Sequence, residues 1–346
     1  IPSQIPKALF MLFLIVLSVL VLTWLSCFLY KSVANRLGFL DHPDTRSAHE
    51  LPIVTGAGIV LVFWFYVALY LLWQIGSVPT NIFISSLGGL PIALVGFADD
   101  VRKLRWQVRA SVHVMCSAWC ISWVGFPVIK VFGLSIEPNL FGSVFGVIAL
   151  LWLINLYNFM DGIDGLAASE VIFVCMAGVL LAEVQVKDWV IIIYLLVAVS
   201  FGFLLFNWPP ARLFMGDSGS GFLGFMLGLL VLAYDNVSLW SWITLLGYFI
   251  TDACLTIVTR LLRGEQIYNA HSQHAYQHTM RIIGKKKTLY TVVAINVFWL
   301  FPIAVFAQRF PDYGPALVVL AFLPLLLVQF FFGAGQKRPR LNFQEN

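Results

Sequence analysis

Eleven apolar stretches recur along this chain of 346 residues, at about 8–30, 53–73, 81–98, 108–125, 140–158, 166–185, 189–206, 219–234, 239–262, 289–308 and 315–333. A helix needs roughly 20 apolar residues to cross a bilayer. In hydrocarbon the backbone must satisfy its own hydrogen bonds, which favours helices. Sixty per cent of the residues are hydrophobic and 11% are charged, a balance that excludes an ordinary soluble globule. The expectation is an all-α polytopic membrane protein with about eleven transmembrane helices. Several stretches are separated only by short polar breaks and must pack as hairpins. The first stretch is too long for a secretory leader and lacks a small-residue cleavage motif, so a retained helix is expected.

Basic residues set the expected orientation. With eleven spans, seventeen of the 21 lysines and arginines fall on one side, leaving Lys7, Lys130, Lys187 and Arg309 on the other. The positive-inside rule then puts the N-terminus outside and the C-terminus in the cytoplasm. Most acids follow the same bias, although that rule ignores them. Clustered polar residues fall in five cytoplasmic loops, about 31–52, 99–107, 159–165, 207–218 and 263–288. No soluble domain interrupts the chain, so residues 1–346 read as one integral-membrane unit. The five cysteines lie in predicted spans and read as small apolar residues without a disulfide framework. The outer segment 126–139 has the glycine and prolines of a short hairpin.

One polar segment stands out: Asn155-Leu-Tyr-Asn158-Phe-Met-Asp161-Gly-Ile-Asp164-Gly-Leu. Polar groups between apolar spans are costly without a partner or a task. Asn155, Asn158 and Asp161 recur every three residues, and Asp164 continues the spacing. If the helix persists that far, all four lie near one face. Gly162 and Gly165 permit a sharp turn or a close approach to a ligand. A cation, a nucleotide, or both would suit this loop.

Four further clusters flank it. Asp99-Asp100 leads into a basic run and Arg109. Adjacent carboxylates repel, and magnesium is usually held by one or two carboxylates together with substrate phosphates. Asp217 and Ser218 precede an apolar span, predicting a helix N-terminus whose amides favour anions. Phe214 could stack on a base that Asn207 hydrogen-bonds. In the first loop, Arg46 with nearby glycine amides would suit a phosphate. In the fifth loop His271, His274 and His278 follow helical spacing. Zinc lacks a cysteine or clear fourth ligand there, so phosphate binding and a plain interfacial helix both stay open. Asp252, inside a span, is expected to face inward and be paired.

These ordered motifs resemble those of the polyprenyl-phosphate N-acetylhexosamine-1-phosphate transferases: Asp99-Asp100, the block 155–165, Phe-Met-Gly-Asp-x-Gly-Ser at 214–220, and the histidine loop 271–278. The Ala-His-x-x-His-Ala-Tyr-Gln form at 270–277 resembles the branch that starts O-antigen and related glycans. The chain departs from the family pattern at Thr55, where an arginine is common.

The resemblance implies transfer of a sugar-1-phosphate from a UDP-N-acetylhexosamine to undecaprenyl phosphate, with release of UMP. It implies magnesium, with manganese as a substitute, held by Asp217 and Asp100. It places Asp99 and Asp100 near the acceptor phosphate, one acting as base or orienting group. Asn155, Asn158, Asp161, Asp164, Asn207 and Phe214 would hold the nucleotide. Arg46, Arg109, His271 and His274 would bind phosphate. The setting would be the bacterial inner membrane, with the site facing the cytoplasm, no nucleic-acid partner, and a homodimer allowed. The rival class is a transporter with an intramembrane acidic site. Transporters place ionisable groups near the midplane, whereas most acids here fall at predicted helix ends.

Overall fold

A computed structural model describes residues 5–43, 51–182, 187–266 and 271–337. The chain is a helical bundle. Its helices are α1 (Ile5–Leu37), α2 (Gly58–Gln74), α3 (Thr80–Ser86), α4 (Gly89–Val101), α5 (Trp106–Val124), α6 (Leu140–Met160), α7 (Leu166–Leu181), α8 (Lys187–Asn207), α9 (Gly216–Ala233), α10 (Leu239–Leu245), α11 (Gly247–Leu262), α12 (Ala275–Ile283), α13 (Lys285–Ile295), α14 (Phe301–Arg309) and α15 (Gly314–Phe331). A π-helical turn, Asn296–Leu300, joins α13 to α14. Two antiparallel pairs are the only strands among the described residues: β1 (Leu40–Asp41) with β2 (Ile53–Val54), and β3 (Ile129–Val131) with β4 (Leu134–Ile136).

Each of the eleven expected stretches contains a helix among its described residues, but they are not equivalent. Among the described residues, seven helical runs are long and apolar enough to cross a membrane. An eighth qualifies if α10 and α11, bent by 72° at Leu246, form one broken span. Helices α2 and α7 have 17 and 16 residues. At about 1.5 Å per residue they reach roughly 25 Å, short of a typical hydrocarbon core. The hairpin expected within 126–139 is present as β3–β4. Its turn residues Phe132 and Gly133 both have positive φ, 46° and 81°, as a tight two-residue hairpin requires. All five cysteines are free.

The bundle is built around α9, with 78% of its span buried, against 17% for α1 at the periphery. Small residues make this possible. A Cβ on Gly58 would lie 2.1 Å from the Gly219 amide nitrogen, and one on Gly96 would lie 2.5 Å from the Asp217 carbonyl oxygen. A Cβ on Gly224 would meet Tyr157 Cβ at 2.8 Å and the Leu153 carbonyl at 2.9 Å. Helices α2, α4 and α6 therefore touch α9 backbone to backbone, as small residues allow between membrane helices. This contact brings the end of α4, the end of α6 and the start of α9 to one point.

Candidate functional site

Helix α4 ends in the Asp99-Asp100 pair, and the two side chains part company. Successive side chains on a helix diverge by about 100°, so the pair is no joint clamp. Asp99 is buried. It accepts from the Leu104 amide (2.7 Å) and from Arg109 Nη1 (3.0 Å), and the exposed Lys103 ammonium stands 3.7 Å away. Asp100 crosses to α9 and accepts from the Asp217 and Ser218 amides, at 2.9 and 3.3 Å. It thus caps the positive end of that helix. Gly216 has φ 70°, and a Cβ there would sit 2.3 Å from Asp100 Oδ2. Only glycine lets the carboxylate approach.

The expected start of a helix at Asp217 is present. Its carboxylate is about a quarter exposed and is held from two sides. Asn158 Nδ2 donates to Oδ1 at 2.7 Å, and Arg109 Nη1 donates to Oδ2 at 2.7 Å. Asn158 also donates to Ser220 Oγ at 3.0 Å. Arg109 therefore bridges Asp99 and Asp217. Asn155, one turn deeper, bonds back to the Leu151 carbonyl of its own helix at 2.7 Å and does not join this cluster.

Helix α6 stops at Met160, so the four polar residues do not share one helical face. Asp161 is its C-cap, its amide donating to the Asn158 carbonyl at 3.3 Å, and its half-buried carboxylate has no hydrogen-bond or ionic partner among the described residues. Burial, then repulsion from Asp217, Asp100 and Asp164, pushes its carboxyl well above the usual range. Asp164 lies past the turn, buried, accepting from the Ala211 amide and from Lys285 Nζ, each at 2.9 Å. Beside it opens a cavity of about 400 Å³ lined by Pro209, Pro210 and Lys285 to Lys287. Sequence reading missed Lys285. Its only signal there was its place in a run of three lysines.

The Asn207 side chain is buried and held at both ends of its amide. Its Oδ1 accepts from the Gly165 amide (2.8 Å), and its Nδ2 donates to the Leu213 carbonyl (2.9 Å). It is a buried tie between the 161–165 turn and the approach to α9. Phe214 is half-buried. Its amide donates to the Val54 carbonyl at 2.8 Å and its carbonyl accepts from Ala57 at 3.1 Å, so the first loop is laced to the same point. Arg46 lies outside the described residues.

The histidine loop differs from the helical alignment expected. Helix α12 begins only at Ala275, with His274 as N-cap. Asp252, buried in α11, gathers this end. It accepts from the Ala275 and Tyr276 amides, at 3.0 and 2.8 Å, and pairs with His274 Nδ1 at 3.1 Å. The inward, paired Asp252 matches expectation, but the partner is His274, whose ring is consequently buried. His278 turns away to the Gln336 carbonyl at 3.0 Å. His271 stacks on His274, ring centroids 5.0 Å apart. Burial, with His274 and Arg260 nearby, lowers its imidazole to about 3. Tyr276 stitches the loop to the site by donating to the Phe159 carbonyl at 2.9 Å.

The fold and site together define a polytopic membrane protein with a carboxylate-rich cluster, crossed by Arg109 and Lys285, at one end of its bundle. Such a mixture of acids, amides and bases suits a polyanionic phosphate ligand. The profile of glycosyl transferase family 4 matches residues 82–235, which contain α4, α6, α9 and their acids. An undecaprenyl-phosphate alpha-N-acetylglucosaminyl 1-phosphate transferase of Thermotoga maritima is 27% identical over 279 residues, 80% of this chain and 84% of the relative. A probable undecaprenyl-phosphate N-acetylglucosaminyl 1-phosphate transferase of Bacillus subtilis is 26% identical, covering 86% of this chain and 85% of the relative. A phospho-N-acetylmuramoyl-pentapeptide-transferase of Streptococcus pneumoniae is 30% identical over 65% of this chain and 72% of the relative. The chain belongs to this family of polyprenyl-phosphate N-acetylhexosamine-1-phosphate transferases and is a phospho-sugar transferase.

Proposed function

We propose that the protein transfers an N-acetylhexosamine-1-phosphate from a UDP-sugar to undecaprenyl phosphate, giving the lipid diphosphate sugar and UMP, and so starts O-antigen or a related surface glycan. The carrying observation is the convergence of Asp100, Asn158, Asp161 and Arg109 on Asp217 at one end of the bundle, with Asp99 also paired to Arg109. An acceptor phosphate oxygen forms a bond to the sugar-bearing phosphorus. The bond from that phosphorus to the bridging oxygen breaks, and UMP departs with the electron pair. Both reactants are anions, so placement and charge neutralisation matter more than covalent help.

Arg109, about a quarter exposed between Asp99 and Asp217, can exchange a carboxylate contact for a phosphate oxygen. Asp164 and Lys285 flank the donor's diphosphate end, with the lysine-lined cavity beside them. Phe214 supplies a ring for the base, and Arg46 and the half-buried ring of His271 serve the phosphates. Asp99 or Asp100 orients the acceptor oxygen, which needs little deprotonation at neutral pH.

The residues also fit a divalent cation. The Asp161 carboxylate has no hydrogen-bond or ionic partner among the described residues and feels the charges of Asp217 and Asp100. Among the described residues no three acidic, histidine or cysteine side chains form a closed cage, and magnesium is often held by one or two carboxylates with substrate phosphates. Asp217 and Asp100, completed by substrate phosphate oxygens, would hold it, and it would neutralise charge developing on the diphosphate. Manganese would substitute.

Basic residues at this end of the bundle, Lys103, Arg109 and Lys285 to Lys287, favour the cytoplasmic side of a bacterial inner membrane, where the phosphate of a membrane-held polyprenol is accessible. A homodimer is compatible with this arrangement. The two relatives named for N-acetylglucosamine favour that sugar. The purified protein should release UMP from a panel of UDP-sugars given magnesium and undecaprenyl phosphate. Folded protein that releases none with any donor would refute the reading and favour the transporter class.

A further inference from the structure

Glu170 on α7 is buried at 2% exposure, and Asn296, the first residue of the π-helical turn, at 1%. Asn296 Nδ2 donates to Glu170 Oε2 at 2.5 Å. The other two oxygens, Glu170 Oε1 and Asn296 Oδ1, are both buried and both lack a hydrogen-bond partner. Tyr157 on α6 and Tyr248 on α11 are the titratable groups that face Glu170. The Tyr157 hydroxyl donates elsewhere, to the Ala167 carbonyl at 2.9 Å. Among the described residues no lysine, arginine or histidine pairs with Glu170. An ionised carboxylate in this setting would have neither a counter-ion nor enough donors.

One hydrogen on Glu170 Oε1, shared with Asn296 Oδ1, would resolve both orphaned oxygens. A neutral carboxylic acid accepts from the amide NH₂ through one oxygen and donates to the amide carbonyl through the other, closing a ring of two hydrogen bonds. The pair also occupies a telling place. Helix α7 starts two residues after Asp164, and α13 starts at Lys285. The Glu170–Asn296 contact therefore joins, deeper in the bundle, the same two segments that Asp164 and Lys285 join at the site. A π-helical turn, which often marks a functional position, sets the Asn296 side chain.

We propose that Glu170 carries a proton at neutral pH and forms a cyclic acid–amide pair with Asn296, and that this pair is a positioning device holding Asp164 against Lys285. Both residues act through others and touch no reactant. The positioning half rests on the proposed function; the protonation half does not.

Glu170→Gln preserves the ring, because an amide can accept and donate in the same geometry. Infrared difference spectra of the full-length protein, wild type minus Glu170→Gln at neutral pH, should show a protonated-carboxyl carbonyl band that shifts down in D₂O. Carboxylate stretching bands in its place overturn the protonated pair. Glu170→Gln should also melt with the wild type, while Glu170→Leu melts lower; a Gln variant as weak as the Leu variant likewise overturns the pair. These two readouts need no turnover, so their failure is distinct from failure of the proposed function. For positioning, Glu170→Leu and Asn296→Leu should each raise the donor KM more than they lower kcat, and the double variant should be no worse than either single. An unchanged donor KM in both single variants overturns the positioning role.

Discussion

Arg109 and Asp217 meet through one guanidinium nitrogen, Nη1, which lies 2.7 Å from Asp217 Oδ2 and also 3.0 Å from Asp99 Oδ2. Removing the arginine would leave Asp217 without a cation and Asp99 with only the exposed Lys103 ammonium at 3.7 Å. Arg109→Ala should lower kcat/KM for UMP release by roughly 100-fold, in the range for loss of one strong electrostatic donor. Arg109→Lys should recover only part, because its single ammonium on a different stem does not reproduce the bridge. An alanine variant with near-normal kcat/KM would sink the assigned role.

Asp217→Asn should abolish UMP release while the protein stays folded in detergent. Its partly exposed carboxylate is tied by Asn158 as well as Arg109, and the helix start it sits on is capped by Asp100 rather than by itself. Circular dichroism and size exclusion would show an intact fold. Turnover near wild type would refute its place in the reaction.

Asp164 and Lys285 form a partly buried pair at 2.9 Å, the lysine a quarter exposed and the aspartate 2%. Lys285→Met should raise the donor KM. A double-mutant cycle with Asp164→Asn should give a coupling of about 0.5–3 kcal/mol. Additive effects in the cycle would mean that the contact does not operate in solution.

Gly58→Ala should be severely destabilising although it adds one methyl group. The new Cβ would fall 2.1 Å from a backbone nitrogen of α9 and 2.7 Å from Ser218 Oγ. Helix α2 must then move away, at a cost of about 1–3 kcal/mol or more. Since α9 carries Asp217, turnover should fall with the melting temperature. A variant with wild-type melting would show that the two backbones do not meet this closely.

His271 links stability to pH. Its ordinary value near 6.5 falls to about 3 in the fold, mainly through burial, with His274 and Arg260 adding repulsion. The folded protein therefore binds fewer protons than the unfolded chain across that window. Its contribution to stability is present above about pH 6.5 and is lost as pH falls towards 3. His271→Gln should flatten this acid limb in thermal melts taken across that range. An unchanged limb would show that His271 does not supply it.

The acids of the site were legible in the sequence because each breaks an apolar pattern: Asp99-Asp100, Asp161, Asp164 and Asp217 all interrupt or border helical stretches. Their roles were less legible. Asn207 and Asn158 are the same residue type at similar polar breaks, yet one is used up holding Gly165 and Leu213, and the other reaches Asp217. His274 reads as a ligand by spacing but is taken by Asp252, because a carboxylate buried in α11 needs donors from whatever packs beside it. Lys285 gave almost no signal, since a lysine run at a helix end is ordinary in a membrane protein.

Sequence alone determined the helical class, the chemistry of the polar breaks and the family pattern, since these depend on composition and short-range spacing. Tertiary structure decided which breaks meet. Backbone contact at Gly58, Gly96 and Gly224 brings the ends of α4 and α6 to the start of α9, joining Asp100, Asn158 and Asp217 across more than a hundred residues of chain. Short-range periodicity carries no record of that approach, because it depends on which small residues face each other once the helices pack.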